Sequence, residues 1–422
     1  MVTKWQWTLA RLRRKIWFAV SLYGVLGVVT ALIAVMLRGF VPDAWMEHFG
    51  AESVGTILNI LASSMLAVTT FSLSIMVQAL ASAATGATPR ATQLLKDDRT
   101  TQRVLATFVG GFIFSLVGII GLQSGIYQQN GRFVLFIATI AVIVVIVVNL
   151  LRWIAHLTDY GRLTDTISRV EDAAEAALAD RMANPYLGGN RLDDTTCKLF
   201  SIEGAGITAG AIGYVQMIDV SALQELAEGA KVEISVPILP GSLVHQASEI
   251  ARVLPGDAMS DDLVKSVRHA FEIASQRSFD QDPRFGILAM TEIASRALSP
   301  AVNDPGTAID ILSRQLRVLA LWADSPETTV RFPLIHVRAL ELDDLMMDAF
   351  AAIARDGASL IEVQIRLQKT LLALAETDPK RFAAAAAVQS RRAISLAERQ
   401  LDLPQDLEAL RALGQQIEAQ SA

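Results

Sequence analysis

The sequence predicts a mainly α membrane protein: four transmembrane helices plus a cytoplasmic α+β domain, a small β module followed by helices. Three observations predict it. Of the 422 residues, 52% are hydrophobic and only 19% charged, against about a quarter charged in soluble domains, and the mean hydropathy is +0.38. Four long apolar runs without a single charged residue lie before residue 157. Beyond it the chain turns polar, with one stretch of alternating, turn-punctuated residues and then helical periodicity to the end. The domain plan is a transmembrane domain over 1–157, a linker helix with a small cytoplasmic β module over 158–258, and a cytoplasmic helical domain over 259–422.

The spans come out at about 16–37, 54–84, 104–125 and 133–151. The first would rise about 33 Å as a helix, enough for a hydrocarbon core of about 30 Å. Lys4, Arg11, Arg13, Arg14 and Lys15 precede it, with Trp5, Trp7 and Trp17 suited to the membrane interface. The run is too long for a signal peptide and lacks a small-residue cleavage site. Residues 38–53 form a short connection around Gly39, Pro42, Trp45 and Gly50. Arg90, Lys96, Arg99 and Arg103 follow the second span. In the third span Gly111, Ser115 and Gly118 recur at helical spacing and should permit close helix contact. The opposite side carries only Arg38 and Arg132 among short-loop cations, so the positive-inside rule places both termini in the cytoplasm.

The second span carries the strongest functional signal. Asn59, Ser63, Ala67, Thr70, Ser74, Gln78 and Ser82 follow one another at steps of four or three residues. Those steps put them on one helix face. Such a stripe serves either close packing on a neighbouring helix or the lining of a wet path. Asn59, Ser63, Ala67, Thr70, Ser74 and Gln78 are therefore the candidate pore-lining residues. No Asp, Glu, Lys, Arg or His lies within any span core, which argues against proton relays and voltage sensors. No Pro interrupts a span, unlike the broken helices of many carriers.

In the polar half, residues 159–181 read as a helix that continues the fourth span or turns beneath the membrane. Residues 184–194 read as a loop. Cys197–Val253 is the one β-leaning region, containing GYVQMIDV, KVEISVPI and PGSLV. After Gly256 the pattern is helical, starting with Ser260 as a cap before two acids. In FDQDPRFGI (279–287) and ALSPAVNDPGTA (297–308), small polar residues gather around three prolines. The residue before a proline avoids the helical region. One helix should then end near Leu298 and another begin near Pro305, with Asp304 as N-cap. Asp282, Ser299, Asn303, Asp304 and Thr307 are the ligand-binding candidates, with Asp282 and Asp304 as possible oxygen donors at a helix N-terminus. The competing reading is a helix-turn-helix corner whose side chains satisfy orphan backbone groups.

These two stretches resemble the signature of an uncharacterised bacterial membrane protein family, domain-of-unknown-function family 2254. The resemblance extends over the four spans and the β module. It implies a multi-span bacterial membrane protein with a cytoplasmic C-terminal region, hence an inner-membrane location.

Composition excludes several classes. A formal charge of -6 argues against nucleic acid. The single cysteine, Cys197, excludes an internal disulfide, and one Cys with five His builds no zinc or iron-sulfur pattern. No cofactor, metal or catalytic triad is expected. The expected partners are the lipid bilayer and further copies of the chain. The leading expectation is a homo-oligomeric channel, the rival a non-conducting scaffold or sensor, and the last a membrane-tethered enzyme using Asp282 and Asp304.

Overall fold

The structure is a computed structural model that describes Leu9 and residues 16–36, 51–96, 98–127, 129–158, 160–323 and 329–420. The basic N-terminal cluster and the connection around Pro42 and Trp45 lie outside the described residues. The chain divides into two compact units, Thr8–Thr166 and Ile167–Ala422.

In the N-terminal unit the helices are α1 (Ile16–Met36), α2 (Ala51–Gly86), the short α3 (Thr92–Lys96), α4 (Arg99–Gln123) and α5 (Gln129–Leu157). Among the described residues three helical stretches are long and apolar enough to cross a membrane: 53–86, 92–123 and 131–157. The first expected span is helical as α1, with a shorter apolar stretch, Trp17–Thr30. The central helix is α4, which packs along α1 and α2, with α5 against all three. Small residues make this possible, as their spacing predicted. Gly111, Ser115 and Gly118 are buried, and a Cβ on Gly118 would stand 3.0 Å from the Leu58 side chain. Asp98 caps α4, accepting from the Thr101 amide at 2.7 Å and hydroxyl at 2.6 Å, and His156 of α5 reaches the same carboxylate at 3.1 Å.

The chain turns after α5, because α6 (Leu163–Ala183) is a separate helix. In the C-terminal unit a five-stranded sheet has the order β1-β8-β4-β6-β2 and a three-stranded sheet the order β5-β3-β7. The strands are β1 (Gly189–Arg191), β2 (Ala205–Thr208), β3 (Gly213–Ile218), β4 (Glu233–Val236), β5 (Leu243–Val244), β6 (Glu249–Leu254), β7 (Phe271–Ala274) and β8 (Phe332–Val337). The helices are α7 (Asp194–Glu203), α8 (Val220–Ala230), α9 (Asp261–His269), α10 (Pro283–Ala297), α11 (Pro305–Ala320), α12 (Leu342–Asp356), α13 (Ile361–Thr377), α14 (Pro379–Ala397) and α15 (Pro404–Gln420).

Three expectations need correction. Cys197 lies in α7 rather than in the β region. The stretch 184–194 includes β1 rather than being all loop. The chain after Gly256 is not wholly helical, because β7 pairs with β3 and β8 runs parallel to both β1 and β4. The sheets therefore draw strands from both sides of residue 258. The cause is tertiary: Ile335 and Val337 are fully buried, and their partners Ile234 and Val236 lie about a hundred residues upstream. The Ser260 cap is as expected, its hydroxyl accepting from the Leu263 amide at 3.2 Å.

Candidate functional site

Asn59, Ser63, Ala67, Thr70, Ser74, Gln78 and Ser82 are all exposed on α2. The buried side of the helix carries Leu58, Leu61, Met65 and Met76. At 100° per residue these lie roughly opposite Thr70 and Ser74. Helix α2 thus packs on its own bundle with its apolar side and turns the stripe outward. The hydroxyls bond within the helix: Ser63 donates to the Asn59 carbonyl at 2.9 Å, Thr70 to Leu66 at 3.0 Å and Ser74 to Thr70 at 3.0 Å. The side-chain amides of Asn59 and Gln78 have no hydrogen-bond partner among the described residues. Apolar Leu66 and Phe71 share the outward side. Arg90, just past the helix, and Lys96 are exposed.

The five ligand-binding candidates do not form one site. Asp282 precedes the first turn of α10 and the other four follow its last. Those ends are about 22 Å apart at 1.5 Å per residue. At the far end α10 closes at Leu298 and α11 opens at Pro305, as the prolines predicted. Asp304 is the N-cap, accepting from the Thr307 amide at 3.1 Å and hydroxyl at 2.6 Å. The Ser299 hydroxyl donates to the Arg296 carbonyl at 2.7 Å. Asn303 takes a left-handed φ of 52°, so that the Asp304 amide meets the Ala297 carbonyl at 2.8 Å. Every one of these groups serves the corner. The pairing of Asp282 with Asp304 as oxygen donors is therefore corrected: α10 keeps them apart and each caps a helix. Among the described residues no group of three or more His, Cys, Asp or Glu is placed to hold a metal ion.

At the near end Asp282 is 1% exposed and caps α10. It accepts two bonds from Arg277, at 2.7 and 2.9 Å, and the Arg277 guanidinium lies 5.0 Å from the Phe285 ring centre. Burial pushes the Asp282 carboxyl above the usual range, while Arg277, the Phe285 amide and Arg181 pull it down. The turn Pro240–Gly241–Ser242 closes against it. Gly241 has φ +94°, and a Cβ there would overlap the carboxylate.

This ion pair forms one wall of a cavity of about 290 Å³. Four guanidiniums line it: Arg181 from α6, Arg277, Arg284 from α10 and Arg338 just after β8. Arg284 is held by Asp348 at 2.6 Å and Asp344 at 2.7 Å. Arg181 is only 4% exposed, and its one hydrogen bond goes to the Gln281 carbonyl at 3.2 Å. Burial lowers its pKa to about 10, with Asp282 and Asp180 opposing, so it stays charged at neutral pH. The exposed Arg338 makes no ion pair among the described residues. The carboxylates of FDQDPRFGI stand out in the sequence, but so could Arg284 within that stretch and Arg277 two residues before it. Nothing local could have found Arg181 and Arg338, which the fold brings in from 101 residues upstream and 56 downstream of Asp282.

The sequence matches domain-of-unknown-function family 2254, described as a predicted membrane protein, over residues 13–373. It is 26% identical over 294 residues to uncharacterized proteins of Mycobacterium tuberculosis and Mycobacterium bovis, covering 68% of this chain and 55% of each relative. The chain thus spans about half the length of the curated relatives it matches. No solved structure matches the sequence. With several membrane-length apolar helices and a family match over most of its length, the chain belongs to this family of predicted membrane proteins.

Proposed function

We propose that the chain forms a homo-oligomeric channel in the bacterial inner membrane, lined by α2. In this arrangement α1 is the fourth span, both termini are cytoplasmic, and the C-terminal units form a ring. The observation that carries the reading is the outward stripe. Hydrocarbon offers the amides of Asn59 and Gln78 no partner, and unpaired polar groups are costly there. Either water or another copy must supply one. Cyclic assembly does both, because it turns one outward polar face per subunit into a closed conduit. Asn59, Ser63, Thr70, Ser74 and Gln78 line the path, and Ala67 leaves room. Without a charged ring inside the span, selectivity comes from pore width and from the mouths, where Arg90 and Lys96 favour anions.

A second reading, a non-conducting scaffold or sensor, is favoured by one observation: the stripe hydroxyls already bond to their own helix. They can then face lipid or a packed neighbour without water. Native mass of the detergent-purified chain separates the two. The channel predicts a ring of four or more copies. A monomer or dimer leaves the stripe nothing to enclose and contradicts the channel.

A further inference from the structure

The geometry points to the arginine-lined cavity of the C-terminal unit as a binding site for a phosphomonoester. This inference does not depend on the channel reading. Of the four guanidiniums, Arg277 is matched by Asp282, and Arg284 by Asp344 and Asp348. Arg181 and Arg338 have no carboxylate in hydrogen-bond contact among the described residues.

Arg181 is the telling member. A guanidinium carries five N–H donors, and this one is 4% exposed with a single carbonyl acceptor. A buried charge is retained only where it is paired or hydrogen-bonded. The free donors belong to a side chain on the cavity wall, so the missing acceptors are supplied from within the cavity. The ion pairs that hold Arg277 and Arg284 fix the walls. The turn at Gly241 lies so close to Asp282 that a Cβ there would overlap the carboxylate, which pairs with Arg277.

Four guanidiniums face three carboxylates, Asp282, Asp344 and Asp348, so the cavity is net positive and calls for an anion. A phosphomonoester carries about -1.5 to -2 at neutral pH and three acceptor oxygens, and the planar fork of arginine suits it. The volume, about 290 Å³, admits a small organic phosphate. A soluble metabolite and a lipid headgroup both carry this chemistry.

The test is calorimetric titration of the full detergent-purified chain with inorganic phosphate at constant ionic strength. Saturable binding is expected, and it should tighten as pH rises through about 7, where inorganic phosphate loses its second proton, about a unit above the same step in a phosphomonoester. Arg338→Ala, on the exposed wall, keeps the fold and should weaken binding about tenfold or more, the usual cost of a lost charged hydrogen bond. Arg181→Met should abolish binding. Should it not fold, the Arg338 variant still decides. Competition by glycerol phosphate assigns a soluble ligand, and competition only by phosphatidic acid in nanodiscs assigns a headgroup. Three results overturn the proposal: no saturable phosphate binding, equal binding by Arg338→Ala, or binding of succinate without phosphate.

Discussion

In α2 the hydroxyls of Ser63, Thr70 and Ser74 bond to carbonyls of their own helix and face outward. In the C-terminal unit, polar side chains are buried and bond between elements. Gln315 of α11 donates to the Ile287 carbonyl at 3.0 Å and to Thr291 at 3.1 Å, and Thr291 reaches the Ala349 carbonyl of α12 at 3.1 Å. Asp282 and Arg277 likewise join the start of α10 to the segment before it. The difference separates two uses of polarity. Buried cross-element bonds specify how one chain packs, because each lost partner strands a group away from water. Outward, self-bonded groups specify nothing inside the chain, so their regular spacing must answer to something outside it. The two regions should therefore respond oppositely to substitution.

The largest effect is expected at Asp282. Asp282→Ala leaves Arg277 unpaired and α10 uncapped, and should cost the C-terminal unit about 3–5 kcal/mol in a thermal or denaturant melt. Asp282→Asn should cost less, because burial already disfavours the charged carboxylate. The sign of the pH effect follows. A carboxyl whose pKa is raised on folding holds its proton more tightly in the folded chain. The stability it contributes is fully present below the ordinary carboxylate pKa and is lost as pH rises through its raised folded value. The Asn variant should lack that slope. Equal melts for all three proteins across pH would remove Asp282 from the internal class.

A smaller effect is expected at the corner between α10 and α11. Asp304→Ala removes a cap with two bonds and should cost about 1 kcal/mol, with phosphate binding unchanged. A loss of binding in that variant would show that the two ends of α10 act together.

The comparison also explains what the sequence revealed. The α2 stripe and the breaks at Leu298 and Pro305 were legible because helical spacing and the X-Pro restriction are local. The same Asp-Pro pattern occurs at Asp282-Pro283 and caps α10 in the same way, in line with the reading in which these side chains satisfy orphan backbone groups. Strand β8 and the meeting of Arg181 with Asp282 were not legible. Each depends on partners about a hundred residues away, and six residues such as FPLIHV carry no mark of which strand they will join. The outward direction of the stripe was likewise hidden, since spacing defines a face but not what it faces.

The smallest stability effect, and the largest functional one, is expected on α2. Thr70→Leu should change stability by less than about 0.5 kcal/mol, since the side chain is exposed and bonds only to its own helix. It should lower ion flux in liposomes, and an unchanged single-channel current would count against this lining.

The central claim, that the outward face of α2 borders water, is tested most directly by thiol accessibility in the membrane. Cys197 is exposed, so the background is Cys197→Ser. Single cysteines replace Ser63, Thr70 and Ser74, with Met76 on the buried side as reference. The account predicts that a membrane-impermeant, water-soluble reagent modifies the three stripe positions and spares position 76. Protection of all three stripe positions would contradict it and leave α2 facing lipid or a dry interface.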